Sequence, residues 1–181
     1  MTTTDVENRT TTERDDLIAM LEHARFFLRF TTRDLTDDQA RLHTTPSAFC
    51  LGDLVKHVTE VERGWSEFLV VGADALRTNG KDFADWTEDD YAERDRSFRM
   101  GPDESLADVL ADYERVATQT NAIVREVASL DTVHELPKAP WDMDEAWSVR
   151  RAILHIAAET AQHAGHADII RESLDGAKSM G

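Results

Sequence analysis

Hydrophobic positions recur at helical spacing through four long stretches of this chain, and no stretch shows clean alternation between hairpin turns. In the first stretch Leu17, Leu21, Ala24 and Leu28, with the Phe26-Phe27 pair, share one face of a helix predicted from about Glu13 to Arg33. Thr36-Asp37-Asp38-Gln39 has the form of a helix cap with Gln at the third position, so a short turn is expected there. A second helix is predicted from Leu51 to Val71, with Leu54, Val58, Val61, Trp65, Phe68 and Leu69 as its apolar stripe and Gly72 as its stop. Ala73–Gly101 is irregular and acidic, and Trp86-Thr87-Glu88-Asp89-Asp90 can cap a short helix running through Phe98. The third long helix is expected from Pro102-Asp103-Glu104-Ser105 to about Leu130, burying Leu106, Val109, Leu110, Tyr113, Val116, Thr120, Ile123, Val124 and Val127. Pro137 and Pro140 exclude helix around them. Ser148 can cap a fourth helix from Val149 to about Leu174, ended by Asp175-Gly176.

The reading is all-α, with four long helices joined by connections of very unequal length. Residues 1–12, polar and repetitive in Thr, read as a disordered tail, residues 13–176 as one domain, and 177–181 as a C-terminal tail. A chain of 181 residues has enough length for a proper core. Its net charge of −16 argues against a surface that follows nucleic-acid phosphates or anionic membranes. No run approaches the roughly 18 apolar residues of a membrane span, and the N-terminus lacks a secretory h-region. The lone Cys50 fits a reducing cytoplasm and reads as a small core residue.

Chemistry concentrates in His155-Ile-Ala-Ala-Glu159-Thr-Ala-Gln-His163-Ala-Gly-His166. Residues turn by about 100° each along a helix, so Glu159 and His163 sit one turn apart, with Cβ atoms about 6 Å from each other. His155 and His163 are about 12 Å apart along the axis and cannot share an ion without distorting the helix. The usable pairs are His155/Glu159, Glu159/His163 and His163/His166. Glu159/His163 is favoured as the pair nearest the middle of the apolar stripe, where an unpaired carboxylate would be costly. His57 takes the matching place on the second helix, one turn from Leu54 and from Val61. His57, Glu159 and His163 thus form an expected metal site of two imidazoles and one carboxylate, suited to Zn, Ni, Fe or Mn and open to a further ligand. His166 is a second-shell or substrate candidate. His23, His43 and His134 read as ordinary solvated or hydrogen-bonded histidines, and Asp168 and Arg171 as surface charge pairs. A di-iron bundle would need two Glu-x-x-His motifs, which the long helices lack.

Leu51-Gly-Asp-Leu-Val-Lys-His57-Val-Thr-Glu-Val-Glu62-Arg-Gly-Trp65 resembles the second-helix signature of the DinB-like superfamily, and His155 through Gly176 resembles its fourth-helix signature. The resemblance is nearest the actinobacterial branch catalogued as a domain of unknown function. That branch is grouped with mycothiol-dependent S-transferases and with the N-terminal domain of maleylpyruvate isomerase. It implies a four-helix bundle of up-down-down-up topology, with a long acidic insertion between helices 2 and 3, and a divalent metal on His57, Glu159 and His163. Many members have His where this chain has Glu159, and the Glu form is similar to the isomerase's metal site. That enzyme carries a further C-terminal domain, so the expectation here is transfer of a thiol such as mycothiol to an electrophile, with a cytoplasmic detoxifying role. Trp65, Trp141 and Trp147, with Phe68, are candidates for the walls of an apolar substrate pocket, and His155, like His166, is a second-shell or substrate candidate. The alternative expectation is a non-catalytic metal-binding stress-response module, associating as a homodimer.

Overall fold

The computed structural model describes residues 11–140 and 145–180. Four long helices dominate it: Glu13–Thr31 (α1), Leu51–Val71 (α3), Leu106–Glu126 (α5) and Val149–Asp175 (α6). Two shorter ones, Asp37–Ala40 (α2) and Glu88–Ser97 (α4), occupy connections. The caps predicted at Thr36 and Thr87 form as hydrogen-bonded boxes, and two more boxes form at Thr12 and Ser105. Thr12 accepts from the Asp15 amide, Thr36 from Gln39, Thr87 from Asp90 and Ser105 from Asp108, and in each box the third residue's side chain returns a bond to the cap. Ser148 caps α6 through the Arg151 amide, and Gly176 closes that helix in the left-handed conformation. Gly72 ends α3 with φ 72°. A Cβ there would also meet the His134 ring at 3.0 Å.

The helices pack around two apolar clusters. One contains Leu28, Leu54, Val58, Val109, Tyr113, Ala167 and Ile170. The other contains Leu17, Leu21, Phe68, Val124, Ile153 and Ile156. Along its length α1 lies against α6, while α3 lies against both α5 and α6. Among the described residues no helix is long and apolar enough to cross a membrane.

Several expectations change. The third long helix stops at Glu126 rather than Leu130, and the first at Thr31 rather than Arg33. The all-α reading needs a small amendment, because Val133–Glu135 (β1) pairs antiparallel with Ala146–Ser148 (β2). Three-residue strands are too short to show alternation, so the sequence carried no signal for them. Arg171 is not a surface charge. It is buried, donates to the Thr31 and Arg33 carbonyls at 2.8 and 2.6 Å and pairs with Asp175, fastening the end of α6 to the end of α1. The predicted tail falls, through residue 10, outside the described residues, as does Trp141.

The 73–101 connection is built rather than loose. Two 3₁₀ turns, Gly72–Leu76 and Phe83–Asp85, precede α4. Lys81 donates to both Asp90 oxygens at 2.9 and 2.8 Å, and the Lys81 bond, with those from Thr87, holds the Asp90 carboxyl down to about 2. The Ala84 amide donates to the Lys138 carbonyl at 2.9 Å, tying this segment to the loop before β2.

Candidate metal centre

Polar side chains line the margin of the buried faces of α3 and α6 where the two helices meet. On α6 the core positions are Ala152, Ile156, Thr160, Ala164 and Ala167. His155, Glu159, His163 and His166 run beside them, each only partly buried. The sequence reading placed Glu159 and His163 near the middle of the stripe. The structure moves them to its edge, where a helical face turns from the core toward solvent. On α3 the core face likewise comprises Leu54, Val55, Val58, Thr59, Glu62 and Ser66, and His57 flanks it.

Ligand atoms of His57, Glu159 and His163 all lie within 4.8 Å of one another. His163 Nε2 is 3.3 Å and His57 Nε2 3.7 Å from the same Glu159 oxygen, Oε1. The two imidazole centroids are 4.6 Å apart with planes at 74°. For ions bound by N and O at about 2.1 Å, tetrahedral ligands stand roughly 3.4 Å apart, so this spacing fits one cation with little movement. Side-chain exposures of 14%, 25% and 16% for His57, Glu159 and His163 leave the cluster open on one side, unlike a sealed structural site.

The electrostatics favour an ionised carboxylate. The hydrogen bond from His163, then the close approach of His57, holds the Glu159 carboxyl well below the usual range, against the opposing effect of burial. The Nδ1 atoms of His57 and His163 are buried without a hydrogen-bond partner. Ring orientation therefore comes from packing rather than from an acceptor behind each imidazole. Phe98 meets His57 edge-on at 4.6 Å, and Phe49 lies 5.4 Å away. Neither phenylalanine was singled out in the sequence, because both lie in connections without a periodic pattern.

The remaining candidates separate. The His166 ring stands 6.1 Å from that of His163, and its Nε2 lies 2.9 Å from the Ser47 hydroxyl. Burial, then the nearby His163, lowers its pKa. His155 packs on Trp65 at 4.7 Å and Trp147 at 5.1 Å, a turn away from the converging atoms. Trp65 and Trp147 stack at 4.8 Å. Trp65 lines a cavity of about 480 Å³ with Gly64, Leu76, Phe83, Trp86 and Phe98. Phe68 is fully buried core.

A second group, His43, Cys50 and Asp53, also brings three potential ligand atoms together. Its carboxylate is already engaged, accepting from the Met100 amide at 2.8 Å and from Arg99 at 3.1 Å. Burial pushes the Cys50 thiol up to about 11, which supports the reading of a small core residue. We expect Cys50 to react with a disulfide reagent at pH 8 only as the protein unfolds. Stopped-flow thiol titration with and without denaturant checks this, and rapid labelling of the folded chain would refute it.

None of the curated proteins compared matches the chain. A family model described as mycothiol-S-transferase matches residues 16–176, a span that takes in the triad, α3, α5, α6 and all but the first three residues of α1. The chain therefore belongs to the mycothiol S-transferase family, within the DinB-like superfamily.

Proposed function

We propose that this protein is a metal-dependent S-transferase, joining mycothiol to an electrophile, with His57, Glu159 and His163 as the metal ligands. The convergence of two imidazole nitrogens on one carboxylate oxygen, at the open edge of α3 and α6, carries the reading. The family match supplies the thiol and the reaction type. A four-helix bundle of up-down-down-up order, with 73–101 as its insertion, accords with the core clusters. Leu17 of α1 clusters with Phe68, Val124 and Ile153, and Leu28 with Leu54, Val109 and Ile170.

A free thiol with pKa about 8.5 is only about 3% ionised at neutral pH. A divalent cation held by the triad would supply Lewis acidity that makes a coordinated thiol a thiolate at pH 7. The Glu159 carboxylate offsets part of the positive charge gathered there. Phe98 and Phe49 pack on the His57 ring and help hold it in place. In the transfer, a carbon–sulfur bond forms as the bond from that carbon to its leaving group breaks. The leaving group departs with the electron pair, and the thiol proton passes to solvent. Cys50 takes no part, since its thiol is buried and protonated.

The test is adduct formation between mycothiol and monochlorobimane, followed by mass spectrometry on protein purified without a His tag. Metal-loaded protein should accelerate it, and a chelator should remove the acceleration. Ionisation of the thiol alone accounts for up to about thirtyfold. A rate equal to the protein-free control with each of Zn, Ni, Fe and Mn would overturn the proposal.

A further inference from the structure

In the wall of the 480 Å³ cavity beside the triad, Arg94 has no carboxylate paired with it among the described residues. Arg94, on α4, is half-buried in its wall, and its guanidinium carbon stands 5.3 to 5.4 Å from the ring centroids of Phe83, Trp86 and Phe98. Among the described residues no carboxylate lies within ion-pair distance of it. Asp90, one turn earlier, is committed to Lys81 and to the helix cap. Glu60, also in the wall, pairs with Arg63 at 3.2 Å, while Glu67 and Glu93 are exposed at the rim and screened by water. Burial lowers the Arg94 pKa, a sign that the charge has lost water without gaining a counter-charge. Three aromatic rings offset that loss only in part. The same wall holds a buried Trp86 Nε1–H that also lacks an acceptor.

Phe98 connects this cavity to the triad. Its ring centroid lies 5.4 Å from the Arg94 guanidinium carbon and 4.6 Å from the His57 ring. The His57 imidazole does not line the cavity, so a ligand lying along the aromatic wall would reach the triad past Phe98 with its far end. Mycothiol, a sugar-linked N-acetylcysteine amide, has no ionised carboxylate to offer Arg94. The electrophile is the reactant left to supply one.

We infer that this cavity binds the planar, carboxylate-bearing part of the electrophile, with Arg94 as the counter-ion and Phe83, Trp86 and Phe98 as the stacking surface. The inference rests on the transferase reading for the identity of the ligand as a substrate. The substrate class is then an aromatic or conjugated acid carrying its leaving group at the end away from the carboxylate.

Direct binding tests it without turnover, so that absence of transferase activity and absence of this site are separate results. Tryptophan fluorescence and calorimetry would compare cinnamate with cinnamamide, the same shape without the charge. Cinnamate should bind wild-type protein on the order of tenfold more tightly than the amide, the usual size of a charge-assisted bond. Arg94→Met should erase that preference, and Arg94→Lys should restore part of it. Equal affinity for acid and amide in the wild type, a comparison that needs no variant, would overturn the inference. So would an Arg94→Met protein, folded by circular dichroism, that keeps the preference.

Discussion

His163→Ala is expected to lose its metal and at least about 100-fold of transferase activity while keeping its fold. Substitutions merely behind a metal ligand already cost 10- to 100-fold, and loss of a ligand exceeds that. The His163 side chain lies at the edge of the α6 core face, with Nε2 3.3 Å from Glu159 and Nδ1 unpaired. Its removal leaves Ala164 and Ala167 packed as before, so the change in unfolding free energy should stay within about 1 kcal/mol. His166→Ala provides the contrast. That ring bonds Ser47 and stands 6.1 Å from His163, so its loss should leave the metal bound. Elemental analysis, mycothiol-dependent rates and urea unfolding on the three proteins are the measurements. Retention of metal by His163→Ala at the wild-type ratio would remove the triad as the site.

The largest stability effect is expected at Arg25 and Glu62. Both side chains are fully buried. Arg25 Nε donates to one Glu62 oxygen at 3.2 Å and Nη2 to the other, while Nη1 donates to Asn121 at 2.9 Å. Asn121 passes the chain outward, donating to Glu22 at 2.6 Å. This network fastens α1, α3 and α5 across the core, and burial, reinforced by the Glu62 charge, raises the neighbouring Tyr113 phenol far above its ordinary range. Arg25→Ala strands a carboxylate in a dry interior and should cost about 3–5 kcal/mol. In a chain of this size that lowers Tm by roughly 6 to 20 °C. The double substitution Arg25→Met with Glu62→Leu should recover most of the loss, because neither charge then remains buried alone. Thermal and urea unfolding of Arg25→Met, Glu62→Leu and the double close the cycle, with Arg25→Ala measured beside them. A cost below about 1 kcal/mol for Arg25→Ala would show that the ion pair is worth no more than an exposed one.

These two sites differ in how well they can be read from sequence. The convergence of His57, Glu159 and His163 was legible because residue type and helical spacing act together: Glu159 and His163 lie one turn apart, and His57 takes the matching place on another helix, although the sequence put all three nearer the middle of the apolar stripes than the structure does. The Arg25–Glu62 pair was not. Glu62 is one of several acids on α3, and Arg25 sits among charged neighbours on α1. Nothing in composition separates the single arginine that turns inward from those that stay in water. Arg171 was misjudged for the same reason, since its partners are carbonyls at the end of another helix. The two-stranded sheet escaped because pairing across 133–135 and 146–148 is a contact between segments, not a periodicity within either.

Local rules reach as far as neighbours along the chain. Helical period, capping residues and i,i+4 spacing act within a few residues, so the sequence alone determined the four long helices, their starts and that Glu159 and His163 stand one turn apart on one helix. Which charges lie inside, which aromatic rings from the connections close around His57, and that Arg94 faces a cavity without a paired carboxylate depend on residues far apart in sequence. Those were decided only by tertiary packing, because desolvation and pairing energies belong to the assembled environment and not to any single segment.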